Sequence, residues 1–123
     1  MRPDDRDAGY LLDMLSHAQG ASTALAGRTY DDYMADDNLR LATERRIEII
    51  GEAARRITPT FQAAHPEIPW RRITAQRNVL AHEYGEVDDE LVYQLVQDRL
   101  PELIELLSKL VSPPPADDGT NQE

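Results

Sequence analysis

Apolar residues recur at steps of three and four through four stretches of this chain, each closed by proline or glycine. Such spacing gives a helix one face to bury against a core. The first stretch runs from about Asp5 to Leu25, with Leu11, Met14 or Leu15, Ala18, Ser22 and Leu25 on its stripe. Pro3 and the nearby aspartates suit the positive end of a helix, and Gly27 is a natural stop. His17 falls on or beside the polar face. Thr29, with Asp32 three residues on, reads as a capped start of a short helical piece.

Asp36-Asp37-Asn38 opens the second long helix, whose stripe is Leu39, Ala42, Ile49 or Ile50, Ala53 and Ile57. Gly51 costs about 1 kcal/mol in a helix interior, and with Ala54 it leaves room for a neighbouring helix. Thr58-Pro59 ends this helix, since proline disfavours helix at the residue before it. His65-Pro66 lies in a connector, and Pro69-Trp70 fits the first turn of a third helix, with the tryptophan as its anchor in the core or an interface. Gly85 is its expected stop. Asp88 caps the last helix, with Val87 and Val92 placed as a hydrophobic staple. That helix uses Val92, Leu95 or Val96, Leu100, Leu103, Leu107 and Leu110; Pro101 leaves the Gln97 carbonyl unbonded and predicts a kink. The expected fold is all-α: an up-and-down bundle of four main helices with short extra helical pieces and a kinked last helix. Residues 1–111 form this domain, and the acidic, proline-rich residues 112–123 have no periodicity and are expected to be disordered.

A net charge of -10 excludes a role that depends on coating nucleic acid, so any such function belongs to a local site. The absence of cysteine excludes disulfides and thiolate metal sites. The charged first residues lead into no apolar segment, and no stretch approaches the roughly 20 apolar residues of a membrane span. A cytoplasmic protein with no membrane partner is expected.

Chemistry concentrates in Arg77-Asn78-Val79-Leu80-Ala81-His82-Glu83-Tyr84-Gly85. Arginine can hold two phosphate oxygens, histidine moves protons near neutral pH, and tyrosine offers a hydroxyl. Asn78 and His82 share a helical face, whereas Arg77 and His82 stand about 140° apart on an ideal helix. One phosphate can meet both only if the helix loosens near His82 or the arginine reaches round. RNA cleavage by its own 2′-hydroxyl needs a base, an acid and positive charge on phosphorus. One chain supplies one such histidine and arginine; a symmetric dimer supplies two of each. Alone, the pattern also fits a helix terminus at which Arg77 and His82 satisfy backbone carbonyls. Glu44, Glu48 and Glu52 stand one turn apart, but the interleaved Arg45, Arg46, Arg55 and Arg56 favour an ion-paired face over a metal site.

Trp70-Arg71-Arg72-Ile73, the Arg-Asn-x₃-His-x-Tyr core, Val87-Asp88 and Leu100-Pro101-Glu102-Leu103 together resemble the HEPN superfamily, in its HepT-like toxin branch. Glu44-Arg45 and Ile49-Ile50-Gly51-Glu52-Ala53-Ala54 resemble that branch's earlier helix, so the likeness covers residues 5–111. The resemblance implies a homodimer with a composite active site at its interface, acting as a metal-independent endoribonuclease toxin on RNA. It implies catalytic roles for Arg77 and His82, with Asn78 in support, and no cofactor or metal for the nuclease. It also implies a minimal nucleotidyltransferase antitoxin that uses ATP and Mg²⁺ to place AMP on Tyr84. Gln76 departs from the smaller or apolar residue frequent in relatives, which bears on packing at the cleft. The rival expectation is a non-catalytic subunit whose cleft holds a nucleotide or substrate for a separate nucleotidyltransferase.

Overall fold

The computed structural model describes residues 3–80 and 88–111. Among these residues the chain is helical with no strand: α1 Asp5–Leu25, α2 Tyr30–Ala35, α3 Asp37–Arg56, α4 Pro59–Ala64, α5 Trp70–Leu80, α6 Asp89–Asp98 and α7 Leu100–Leu110. The expected all-α bundle with short helical pieces is what forms. No helix among the described residues is long and apolar enough to cross a membrane. Residues 112–123, expected to be disordered, and the proposed stop Gly85 and staple residue Val87 lie outside the described residues.

Caps set the helix starts. Asp4 accepts from the Asp7 N–H at 2.7 Å, and Asp36 from the Leu39 N–H at 3.0 Å. Thr29 and Asp32 exchange 3.0 Å hydrogen bonds in the reciprocal box that opens α2. Gly27, at φ 74°, turns the chain out of α1 through a conformation glycine adopts without strain. Thr58 and Pro59 start α4, with the threonine hydroxyl accepting from the Phe61 N–H at 3.3 Å.

α1 and α3 run antiparallel, because Asp7 meets Thr58 while His17 meets Arg46. α5 packs on α3, and α6 and α7 close the bundle against α1. The core joins Leu11, Met14, Ala18 and Leu25 of α1 to Ile47, Ile50 and Ala54 of α3, Ile73 of α5, and Val92, Leu100 and Leu107 beyond. Both alternatives in the first stripe are buried, Met14 as well as Leu15, and Ala21 replaces the half-buried Ser22 as the inward residue. In α3 the expected stripe is shifted: Ala42 is exposed, and Thr43 and Ile47 face inward. Thr43 is tolerated there because its hydroxyl donates to the Leu39 carbonyl at 2.7 Å.

The last helix is interrupted near Pro101, the site of the expected kink. α6 ends at Asp98, Arg99 sits at φ -110°, and α7 begins at Leu100 with Pro101 in its first turn. Arg99 still donates to the Leu95 carbonyl at 2.9 Å and accepts from the Leu103 N–H at 3.1 Å. The missing proline N–H is harmless at a helix start, so Pro101 divides the segment into two helices that share one apolar face.

Candidate active site

The helices that flank the motif segment are each anchored at their starts. Upstream, the Pro69 carbonyl takes the first helical bond of α5 from the Ile73 N–H at 3.0 Å. Trp70 packs edge-on against Phe61, ring centroids 6.4 Å apart, and its indole N–H donates to the His65 carbonyl at 3.0 Å. With Trp70 and Ile73 buried, the helical register turns Arg71 and Arg72 outward. Downstream, the Asp88 carboxylate accepts from the Leu91 N–H at 3.2 Å, and Val92 enters the core.

Arg77 and Asn78 stand in the last turns of α5, so the helix carries them at regular spacing through Leu80. Their side chains, and all of His82 and Tyr84, lie outside what the structure describes. The expected loosening of the helix near His82 falls outside the described residues.

Beside this segment, α5 and α6 wall a groove of about 430 Å³. Arg72 and Gln76 line it from α5, Gln94 and Asp98 from α6, and Arg99 from the break between α6 and α7, over a floor that includes Leu91 and Leu95. Arg72 and Arg99 are exposed. Sequence reasoning noted Arg72 only within a motif and missed Arg99; the available signal was that α5, with Arg71, Arg72 and Arg77, contains no acidic residue in a chain of 23 acids.

Two of the three α3 glutamates, Glu48 and Glu52, form the ion-paired face expected of them. Arg45 meets Glu48 and Arg55 meets Glu52, each at 2.7 Å, with Arg56 3.6 Å from Glu52. Burial, reinforced by Asp89, pushes the Glu44 carboxyl above its ordinary range. No cluster of His, Asp or Glu able to hold a metal occurs among the described residues. His65 stays in the connector, 3.0 Å from Glu67. His17 accepts from the Arg46 guanidinium at 3.2 Å, and burial, then Arg46, lowers its pKa below the ordinary 6.5.

A family model described as "Ribonuclease HepT-like" matches residues 14–110. The chain belongs to the HepT-like ribonuclease family. Among its HepT-like relatives, a Thermococcus cleftensis protein named "Probable ribonuclease HepT" is 37% identical over 81 residues, covering 66% of this chain and 74% of the relative. A candidate RNase of Methanocaldococcus jannaschii is 31% identical over 94 residues, 76% of this chain and 86% of its own. A candidate RNase of Caldanaerobacter subterraneus has the same identity over the same length and covers 84% of that protein. No solved structure matches. The HepT-like assignment makes ribonuclease the activity class.

Proposed function

We propose that this HepT-like protein is a metal-independent endoribonuclease toxin, active as a cytoplasmic homodimer whose composite site combines Arg77 and His82 from both subunits. The observation that carries this reading is membership of a ribonuclease family across residues 14–110, a span within which residues 77–84 fall. Trp70 and Asp88 anchor the starts of the helices on either side of residues 81–87.

In this mechanism one histidine takes the proton of the RNA 2′-hydroxyl, and the 2′-oxygen attacks the adjacent phosphorus. The bond to the 5′-oxygen breaks, and that oxygen takes a proton from the second histidine. The products are a 2′,3′-cyclic phosphate and a 5′-hydroxyl. Arg77 stabilises the charge that builds on the phosphoryl oxygens, and Asn78 holds the neighbouring backbone or side chains in place.

Control falls to Tyr84. A minimal nucleotidyltransferase antitoxin, using ATP and Mg²⁺, transfers AMP to the phenol oxygen and releases pyrophosphate. The added phosphodiester then competes with RNA phosphate for the same cations. His82→Ala should abolish both RNA cleavage and growth inhibition, and cleavage by the wild type should survive EDTA. Equal cleavage by His82→Ala, or cleavage lost to EDTA and restored by Mg²⁺, would overturn the mechanism. Intact mass after co-expression with the antitoxin should rise in AMP-sized steps; a rise that persists in Tyr84→Phe would remove Tyr84 from the scheme.

A further inference from the structure

We propose that the α5–α6 groove is the track along which the RNA backbone approaches the motif, with Arg72 and Arg99 as its phosphate-holding residues. The inference rests on the ribonuclease reading and adds a substrate path outside the Arg77–Tyr84 motif. Its basis is the placement of charge. The chain has 13 Lys and Arg against 23 Asp and Glu, so most of its surface repels a polyanion. α5 is the exception, with three arginines and no acid between Trp70 and Leu80.

Arg72 of α5 and Arg99 at the α6–α7 break face the same groove of about 430 Å³ although they come from different helices. Neither forms an ion pair among the described residues, in contrast to Arg45 and Arg55, which are held by glutamates. A guanidinium without a carboxylate partner keeps its fork of donors for phosphate oxygens. Gln76 and Gln94 add amides able to bond ribose hydroxyls or base edges, and Leu91 and Leu95 give an apolar floor. Arg72 and Arg77 are five positions apart on one continuous helix, an axial rise of about 7.5 Å with about 140° of rotation. A strand held at Arg72 reaches the motif end of α5 by passing round the helix. Asp98 is the opposing charge in the groove and weakens the track.

The test measures RNA binding by fluorescence anisotropy in a His82→Ala background, and cleavage kinetics in the otherwise wild-type dimer. The probe is a labelled single-stranded RNA of mixed sequence. Arg72→Ala with Arg99→Ala should weaken binding on the order of tenfold at moderate salt and reduce the slope of log K against log salt by about 1.4, about 0.7 for each lost phosphate contact. In cleavage the loss should appear in KM rather than kcat. Asp98→Asn should tighten binding, a sign that a merely structural groove would not produce, and the distant charge reversal Lys109→Glu should leave the difference between the groove variants intact.

Unchanged affinity and salt slope in the double alanine variant would overturn the track, as would loss of the dimer or of antitoxin binding in place of RNA binding, since the groove would then be a protein interface. Sedimentation of the variant separates these outcomes. A wild type that binds RNA through Arg72 and Arg99 yet never cleaves it would support the track and overturn the ribonuclease reading.

Discussion

Replacing Asp7 with alanine should unfasten α1 from the chain that leaves α3. Asp7 is only 2% exposed, and its carboxylate accepts from the Thr58 N–H at 2.9 Å and the Thr58 hydroxyl at 2.7 Å. Hydrogen bonds to a charged group each contribute about 1.5–3 kcal/mol, and a buried donor left unpaired costs about 1–3 kcal/mol. Thr58 is only half-buried, so water recovers part of this loss. A net destabilisation of about 3 kcal/mol follows. Urea unfolding should show it as a midpoint lower by roughly 1–3 M, given slopes of about 1–3 kcal/mol per molar for small proteins. Asp7→Asn, which keeps one acceptor for the Thr58 N–H, should fall between the two. If Asp7→Ala unfolds within about 0.5 kcal/mol of the wild type, a typical surface effect, the bridge contributes nothing and the reasoning fails.

Other consequences lie in α1 and at the start of α6. His17 has its pKa lowered in the folded protein by burial and Arg46, so the unfolded chain binds more protons as pH falls below 6.5. Its contribution should therefore lower stability as pH falls through 6.5 and level off below the depressed folded value; His17→Gln should flatten that part of the unfolding free-energy profile. A Cβ at Gly20 would clash with the Arg46 guanidinium, the tip of a flexible side chain. Gly20→Ala should thus displace Arg46, move the His17 pKa, read by NMR titration, back toward 6.5, and recover up to about 1 kcal/mol of helix propensity. Asp88→Ala removes the cap that accepts from the Leu91 N–H. It should cost about 1 kcal/mol by chemical denaturation.

The features legible in the sequence were those set by near neighbours. The span of α1, the Thr29–Asp32 box and the Glu–Arg pairing on α3 each depend on residues within one helical turn. The choice between Ala42 and Thr43 was not local. It turns on which face of α3 meets α1 and on the bond from the Thr43 hydroxyl to the Leu39 carbonyl, which makes an inward threonine tolerable. Asp7 read as a favourable charge near a helix start, but its burial depends on Thr58, whose position is visible only after α1 and α3 pack antiparallel. Pro101 marked a disturbance, though not its outcome, because the same residue kinks a helix interior or begins a new helix. At the site, the motif residues stood out by chemical type, while the groove joins Arg72 to an arginine from a different helix and needs the fold to be seen.

The ends of the RNA fragments produced by the purified protein in EDTA test the proposed 2′-hydroxyl mechanism. Wild-type protein should leave 2′,3′-cyclic phosphates and 5′-hydroxyls, with no cleavage of DNA or of RNA methylated at the 2′-oxygens, and His82→Ala should leave the RNA intact. Cleavage of 2′-methylated RNA, or 5′-phosphate ends from the wild type, would show that the 2′-hydroxyl is not the nucleophile and would contradict the assignment of Arg77 and His82.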